Sequence, residues 1–241
     1  MKTGLAQQIK KAPLERQAAA ALRAKVLSGE FPPGYRLVET WLADQFQLSR
    51  GTVRAALSLL VHEGLVEQVA YTRWAVPNLS AKDAWELYTL RSSLEGLAAR
   101  LVTERMTPAK AAELSGALQR IQDAAERDDR GAVDKRDAEL HSLIVKLADH
   151  RRLQQQYTII EQQTRRYIAC SNALTVDCAA ILKQHEPIVQ ALISGDPDAA
   201  EREAQRHNLE EGKLLVANLQ SHEAGPGADA VSERRKAGAD S

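Results

Sequence analysis

Residues 37–64 have the sequence LVETWLADQFQLSRGTVRAALSLLVHEG. Apolar residues recur at helical spacing on both sides of a break at 47–49, which predicts two short helices joined by a tight turn. Ser49 is a favourable N-cap for the second helix, because its side-chain oxygen can accept a hydrogen bond from the first turn. The polar face of this second helix begins with Arg50, Thr52 and Arg54.

This polar face is typical of a recognition helix that lies in the major groove of DNA. Arginine can bind a guanine edge through two hydrogen bonds, and serine or threonine can bind phosphates or bases. The alternative is an ordinary amphipathic helix whose basic edge is solvated. The pattern by itself leaves both interpretations open, because helix-turn-helix spacings also arise by chance.

The chain has 241 residues, of which 44% are hydrophobic and only 4% are aromatic. It is long enough for two modest domains, and its many alanine, leucine, glutamate, arginine and glutamine residues favour helices. The formal net charge is zero, but it is unevenly divided. Residues 1–79 contain ten Lys and Arg against six Asp and Glu, a net charge of +4, and the remainder carries −4. This division is typical of a DNA-binding domain attached to a domain with another task.

Cysteine content and hydropathy indicate a cytoplasmic protein. The two cysteines, Cys170 and Cys178, have neither the spacing of a redox motif nor that of a disulfide framework, so a reducing compartment is the simplest setting. The first residues lack the apolar run of a signal peptide. No stretch approaches the roughly 18 apolar residues of a membrane span, so we expect no membrane partner.

The residues around the two helices predict a winged helix-turn-helix domain over 13–77. A preceding helix is expected at about 14–27, because its apolar residues recur at helical spacing and Gly29 follows as a stop signal. Short strands are expected at 36–38, 65–69 and 73–76, the last two as a hairpin. Residues 1–12 are polar, and we expect them to be disordered.

Residues 28–66, SGEFPPGYRLVETWLADQFQLSRGTVRAALSLLVHEGLV, resemble the DNA-binding domain of GntR-family transcriptional regulators. The family's PG-x-x-L turn, the S/T-R-x-x-V/L-R opening of its recognition helix and its L-x-x-x-G-L ending are present at 33–37, 49–54 and 60–65. The resemblance implies DNA contacts from Arg36, Ser49, Arg50, Thr52, Arg54 and Arg73.

Two departures from the family pattern concern the operator contacts. The wing tip at 69–73 contains no glycine, which leaves the usual minor-groove contact of the wing open, although Arg73 can reach a phosphate. Thr40 stands where some members place a DNA-reading arginine, so we expect a shifted operator preference.

Residues 78–220 predict an all-helical domain of about six helices. The expected helices are at about 81–105, 108–127, 132–148, 153–170, 181–193 and 197–219. Pro187 is unfavourable inside a helix, which suggests that the fifth of these begins near it or bends there. The small, polar and glycine-containing residues 221–241 predict a disordered tail. The fold class is therefore mainly α, a winged helix-turn-helix domain followed by a helical bundle.

Four polar residues of the bundle suggest a metal site. Asp137 and His141 are four residues apart and share a helix face, and His185 and His207 lie on two other predicted helices. One carboxylate and three imidazoles that meet inside a bundle suit a divalent transition metal, with open positions for water or a carboxylate ligand. The alternative is that these histidines are scattered over the surface.

The pattern around these residues resembles the FCD-type ligand-binding domain of the FadR subfamily of GntR regulators. D-x-x-x-H covers 137–141, H-x-x-[IL]-x-x-A-[IL]-x-x-G-D covers 185–196, and A-x-x-x-x-x-x-H covers 200–207. The resemblance implies that a divalent metal is bound by Asp137, His141, His185 and His207. Zinc is the metal that we expect first, and nickel, iron or manganese are the alternatives. It also implies that the domain senses small organic acids at or beside the metal.

Two arginines are candidates for binding the acid. Arg91 lies where the family has an arginine, and it can hold a carboxylate through two parallel hydrogen bonds. Alternatively, Arg91 is an exposed residue paired with Glu95. Arg165 is the second candidate, although periodicity does not decide whether Arg165 or Arg166 faces inward.

We therefore predict a cytoplasmic homodimer that represses transcription from double-stranded operator DNA and responds to a sugar acid, a hydroxy acid or a dicarboxylate. Two alternatives remain: a metal-dependent enzyme that uses the 3-His-1-Asp site, and a regulator whose metal is purely structural. The sequence disfavours the enzyme alternative, because no further residue pairs convincingly with the site as a general base or nucleophile.

Overall fold

The computed structural model describes residues 13–69, 73–172, 174–175 and 177–223. The predicted disordered segment 1–12, the central wing-tip residues 70–72 and residues 224–241 of the predicted tail lie outside this described part. The chain divides into two compact units, the first ending at Asn78 and the second beginning at Leu79.

The first unit combines three helices with a small antiparallel sheet in the residues that the structure describes. Its elements are α1 (Leu14–Leu27), β1 (Arg36–Leu37), α2 (Glu39–Phe46), α3 (Arg50–His62), β2 (Glu67–Val69) and β3 (Arg73–Ala75). The strand order is β1-β3-β2, and Trp74 of β3 pairs with Leu37 on one side and Gln68 on the other. The prediction of a winged helix-turn-helix is confirmed.

Two residues form the turn between α2 and α3. Gln47 ends α2 in the left-handed conformation, with a φ of 52°. Ser49 caps α3, because its Oγ accepts a hydrogen bond from the N–H of Thr52 at 3.1 Å. The apolar stripe of α3 is buried in one core with α1, α2 and Trp74, and this leaves Arg50 and Arg54 exposed on the opposite face.

The second unit is a bundle of six helices within its described residues. They are α4 (Ala81–Glu104), α5 (Pro108–Glu126), α6 (Arg130–Leu147), α7 (Arg151–Asn172), α8 (Cys178–Ser194) and α9 (Pro197–Glu223). The prediction of an all-helical second part is confirmed. Among the described residues, no helix combines the length and the apolar character that crossing a membrane requires.

Helices α6 and α8 begin earlier than expected, because a carboxylate caps each of them. Asp129 accepts a hydrogen bond from the N–H of Ala132 at 3.0 Å. Asp177 accepts one from the N–H of Ala180 at 2.6 Å. Each cap satisfies a backbone donor that the helix itself leaves unpaired, so the helix can begin directly after it.

Pro187 lies inside α8 rather than near its start, so the interpretation that this helix begins near Pro187 is wrong. Proline has no backbone N–H, and the carbonyl of Lys183 therefore receives no helical hydrogen bond from residue 187. At the other end of the bundle, α9 continues to Glu223, a few residues into the predicted tail.

Two glycines allow α4 and α9 to approach closely. A Cβ atom on Gly212 of α9 would lie 2.7 Å from Cβ of Tyr88, and one on Gly96 of α4 would lie 2.7 Å from Cγ of Gln205. Between these points Ser92 Oγ donates to the carbonyl of Gln205 at 3.3 Å. The close contact packs the inner face of α4 against the inner face of α9, and both faces carry buried polar residues.

Substitution of Gly212 tests this packing. Gly212→Ala should lower the free energy of unfolding by about 1–3 kcal/mol, because the added methyl group has no room beside Tyr88. Gly116 of α5 is the matched control, since a Cβ there meets only the end of the Arg120 side chain at 3.6 Å. Gly116→Ala should stabilise by about 0.5–1 kcal/mol. Urea unfolding measures both, and a stabilising Gly212→Ala would contradict the close approach.

Candidate functional site

The four predicted metal ligands are brought together from three helices. Asp137 and His141 come from α6, His185 from α8 and His207 from α9. All four are buried, with exposed fractions between 0% and 4%. The interpretation of these histidines as scattered surface residues is therefore wrong.

Three ligand atoms form a nearly equilateral triangle. Asp137 Oδ1 lies 3.2 Å from His141 Nε2 and 3.2 Å from His185 Nε2, and the two Nε2 atoms are 3.2 Å apart. Ligand atoms of His207 lie with those of the other two histidines within 4.8 Å of one another. Donor atoms that share one ion at about 2.1 Å lie about 3.0–3.4 Å from each other, so the triangle has the size of a metal site.

The hydrogen bonds of the two imidazoles fix which nitrogen carries a proton. His141 Nδ1 lies 2.8 Å from Glu95 Oε2, and His185 Nδ1 lies 2.7 Å from the carbonyl oxygen of Ile181. Both partners are acceptors, so each neutral imidazole carries its hydrogen on Nδ1. The Nε2 lone pairs then point at each other and at the Asp137 carboxylate. This donor set fits a divalent cation, because three converging lone pairs repel one another unless they share a positive charge.

The electrostatics of the cluster favour positive charge at the same point. Burial lowers the pKa of His185, but the nearby Asp137 carboxylate outweighs this effect and raises it to about 9. Burial lowers the pKa of His207 well below its ordinary value, and the neighbouring His185 and His141 add to that effect. Asp137 therefore acts as the anionic partner of the cluster, and His207 as a neutral imidazole.

Glu95 of α4 connects this cluster to the rest of the bundle. Its Oε1 accepts hydrogen bonds from Arg91 Nε at 2.8 Å and from the Tyr157 hydroxyl at 2.7 Å. Its Oε2 contacts His141 and accepts a hydrogen bond from Asn208 Nδ2 at 2.9 Å. Burial raises the pKa of Glu95, but Arg91 and His141 outweigh it and hold the pKa well below the ordinary value. Glu95 is therefore an ionised residue that orients a predicted ligand.

The residues that hold the predicted ligands in place form a supporting layer around them. Sequence reasoning missed most of this layer. Asn172 Nδ2 donates to Asp137 Oδ2 at 2.8 Å, and the Ser171 hydroxyl donates to Glu211 Oε2 at 3.2 Å. Buried Asn172, Asn208 and Glu211 lie on the inner faces of α7 and α9. The sequence indicates these residues in one way: each is a polar residue at a position that helical periodicity assigns to the interior.

Arg91 is fully buried, so its interpretation as an exposed member of an i,i+4 pair is wrong, although the pair with Glu95 is formed. Its guanidinium carbon lies 5.4 Å from the centre of the Tyr88 ring. Nη1 and Nη2 find no acceptor in the part of the chain that the structure describes. Two unpaired donors of a buried arginine are a favourable place for a ligand carboxylate, since an unmet buried polar group costs free energy.

Arg165 lies at the edge of the bundle interior, with 30% of its side chain exposed. Its Nη2 donates to Glu161 at 3.0 Å, and Glu161 also accepts from the Ser142 hydroxyl at 2.9 Å. These contacts join α7 to Ser142 of α6, and neither of them involves one of the four predicted ligands. A role for Arg165 in effector binding stays a prediction.

A pocket of about 240 Å³ between α8 and α9 reaches the cluster. It is lined by Lys183, Gln184, Pro187, Arg206, His207, Glu210, Glu211 and Leu214. Gln184 Oε1 and His207 Nε2 are buried and have no hydrogen-bond partner among the described residues. The pocket therefore connects exposed Lys183 and Arg206 with one of the predicted ligands.

In the first unit, three of the predicted DNA contacts surround one hollow. Arg36, Arg50 and Arg54 line it together with the start of α2, and its volume is about 160 Å³. The hydroxyls of Ser49 and Thr52 are hydrogen-bonded at 2.9 Å at the first turn of α3. Arg73 is exposed at the start of β3, directly after the undescribed residues 70–72.

Family profiles match both units. The profile described as bacterial regulatory proteins, gntR family, matches residues 14–76, and the profile described as FCD domain matches residues 86–210. The chain is 30% identical over 184 residues to the probable D-xylose utilization operon transcriptional repressor of Paenarthrobacter nicotinovorans, covering 76% of this chain and 80% of that protein. It is 27% identical over 186 residues to the gluconate operon transcriptional repressor of Bacillus subtilis (strain 168), covering 75% and 76%.

Solved structures share the fold. E. coli McbR/YncC superposes with a TM-score of 0.71 at 21% identity, covering 86% of this chain and 99% of that one. The crystal structure of a transcriptional regulator GntR from Rhodococcus sp. RHA1 superposes with a TM-score of 0.71 at 22% identity, covering 84% of this chain and 97% of that one. The matched profiles and relatives are transcriptional regulators and not enzymes.

Substitution of Glu95 tests the supporting layer. Glu95→Gln should lower the free energy of unfolding by about 3 kcal/mol or more, because the buried Arg91 charge loses its partner. Glu86→Gln removes the same charge from the exposed side of α4, where the pair with Lys82 is long at 3.4 Å, and should change stability little. Urea unfolding of both variants checks this. Equal effects would show that Glu95 does not hold the interior together.

Proposed function

Because the chain belongs to the GntR family of bacterial transcriptional regulators, with an FCD-type C-terminal domain, we propose that it is a dimeric repressor controlled by a metal-dependent organic-acid sensor. The observation that carries the proposal is the 3.2 Å triangle of Asp137, His141 and His185 beside a buried arginine with two unpaired donors. Such a repressor works in the cytoplasm, where the chromosome is.

In this proposal the first unit binds the operator through α3. Arg50 and Arg54 read base edges in the major groove, and Ser49 and Thr52 bind phosphates at the start of the helix. Arg36 and Arg73 add contacts at the two sides of the motif. The exposure of Arg36, Arg50, Arg54 and Arg73 supports these roles.

The second unit would hold the metal through Asp137, His141, His185 and His207. Imidazole nitrogens and one carboxylate suit zinc first, and nickel, iron or manganese as alternatives. When bound, the ion supplies a Lewis acid that attracts a carboxylate oxygen of the effector. Glu95 orients His141, and the Ile181 carbonyl orients His185, so both ligands are held in place by the bundle.

The acid would be held by Arg91, whose free Nη1 and Nη2 match the two oxygens of a carboxylate. Acceptor atoms of the pocket between α8 and α9, which is lined by His207, favour an acid that also carries hydroxyl groups. Gln184 Oε1 has no donor among the described residues, and the Glu211 side chain belongs to the same lining. We therefore place a sugar acid ahead of a hydroxy acid or a dicarboxylate. The D-xylose and gluconate operon names of two relatives agree with this choice.

A second copy of the chain would pack on α4. Trp85, Leu90 and Leu97 are 46%, 47% and 39% exposed on this helix, and Leu90 and Leu97 lie seven residues apart on one side of it. An apolar stripe of this kind is typical of an interface. A dimer would present two α3 helices to the two halves of a palindromic operator.

Control of DNA binding then requires that the acid bind one arrangement of the dimer better than the other. The ratio of its two affinities sets the largest change in operator affinity, which is typically about 5–150-fold.

The test uses the zinc-loaded full chain and a labelled duplex that the protein selects from random-sequence DNA. Gluconate, as a sugar-acid probe, should weaken binding about 10-fold in fluorescence anisotropy, and succinate should have a smaller effect. Gln184→Leu should reduce the response to gluconate, because it removes an acceptor for a hydroxyl group. Gln190→Leu, an exposed position on the same helix, is the matched control.

Three outcomes would contradict the proposal. If no acid changes the affinity of zinc-loaded protein, the sensor role fails. If chelation unfolds the second unit and no acid binds it, the metal is structural. If the selected duplex binds no better than a scrambled one, the operator-binding role fails.

A further inference from the structure

A carboxylate from another helix holds the Arg54 side chain. Glu39, the first residue of α2, accepts a hydrogen bond from Arg54 Nε at 3.0 Å through Oε1 and one from Nη2 at 2.9 Å through Oε2. Only 10% of the Glu39 side chain is exposed, compared with 61% of the Arg54 side chain. A two-bond pair of this kind fixes the plane of the guanidinium as well as its position.

The sheet in turn holds Glu39. Trp74 Nε1 donates to Glu39 Oε1 at 2.8 Å. Trp74 is only 2% exposed and lies in β3, the central strand, with β1 and β2 paired on either side. Because the indole belongs to the core of the first unit, its N–H cannot shift without disturbing that core. A chain of contacts therefore runs from the sheet through α2 to the recognition helix.

The bonds to Glu39 leave Arg54 able to bind a base. A guanidinium carries five N–H donors, and Glu39 takes one from Nε and one from Nη2. Both hydrogens of Nη1 and the second hydrogen of Nη2 remain, and an arginine can bind guanine O6 and N7 through two such donors. Hydrogen bonding to Arg54 also lowers the pKa of Glu39, so its carboxylate stays ionised.

We propose that Glu39 and Trp74 are positioning residues that set Arg54 for one guanine of the operator. The inference rests on the proposed base contact of Arg54. A flexible arginine gains affinity from any phosphate within reach, whereas a fixed one gains it only where a guanine lies in the right place. The nearby Glu39 charge also weakens attraction to the DNA backbone. The pair thus favours sequence specificity over overall affinity.

The test measures two affinities for each variant, one for a duplex selected by the wild-type protein from random-sequence DNA and one for a scrambled duplex of equal length. Glu39→Gln keeps an oxygen for the Trp74 N–H and removes the charge that binds Arg54. Its affinity for the selected duplex should fall about 10-fold, whereas its affinity for the scrambled duplex should stay or rise. Asp44→Asn removes an exposed charge from the same helix and should leave the ratio of affinities unchanged.

Trp74→Phe tests the second contact, because it keeps a buried ring and removes the N–H. The ratio of affinities should fall by less than in Glu39→Gln, and adding Trp74→Phe to Glu39→Gln should lower it little further, since both changes act through the same carboxylate. Thermal unfolding of each variant confirms that the domain is folded.

Arg54→Ala distinguishes the base contact of Arg54 from the positioning role of Glu39 and Trp74. If this variant keeps the full preference for the selected duplex, the base contact of Arg54 fails and the positioning role fails with it. If Arg54→Ala loses the preference and Glu39→Gln keeps it, only the positioning role is overturned. Tighter binding of Glu39→Gln to both duplexes, with no loss of preference, would show that Glu39 merely shields Arg54.

Discussion

The structure of the second unit depends on three ligand atoms, Asp137 Oδ1, His141 Nε2 and His185 Nε2, whose lone pairs converge at separations of 3.2 Å inside the bundle. Asp137, His141 and His185 are stable in this arrangement only where a positive charge is shared between them. Each imidazole must also be held with its Nε2 inward, which the Nδ1 contacts to Glu95 and to the Ile181 carbonyl achieve. The close approach of α4 and α9 brings Glu95 within hydrogen-bond distance of Asn208, while Glu95 also contacts His141. The arrangement of the predicted ligands therefore depends on the packing of these helices.

Both units hold in the same way an arginine for which we propose a binding role. Glu95 accepts from Nε of Arg91 in the bundle, and Glu39 accepts from Nε and Nη2 of Arg54 in the DNA-binding unit. In each pair the carboxylate is fixed by an aromatic donor, the Tyr157 hydroxyl or the Trp74 indole. Donors on the terminal nitrogens stay available for the partners that we propose, a carboxylate in one unit and a guanine in the other. Arg91 is buried, whereas 61% of the Arg54 side chain is exposed, which agrees with the proposed partners, since a small acid can be enclosed and DNA binds at the surface.

The parts that could be predicted from sequence are those set by local spacing. The apolar stripes of α2 and α3 and the Ser49 cap predicted the helix-turn-helix, and the resemblance to a known family supplied the four residues that cluster in the bundle. Glu95 and Asn208 could not be paired from sequence, because they are 113 residues apart and meet only through the packing of α4 on α9. Pro187 misled the placement of α8, since the Asp177 cap stabilises a helix start that the proline does not disturb.

The most direct test of this account is a calorimetric titration of zinc into the metal-free full chain, with two matched histidine variants. We predict one bound ion per chain in the wild type and in His62→Gln, which alters an exposed histidine of the DNA-binding unit, and no bound ion in His185→Gln at the same protein concentration. A wild-type chain that binds no divalent metal, or a His185→Gln variant that binds zinc like the wild type, would contradict the claim that the converging ligands share a cation.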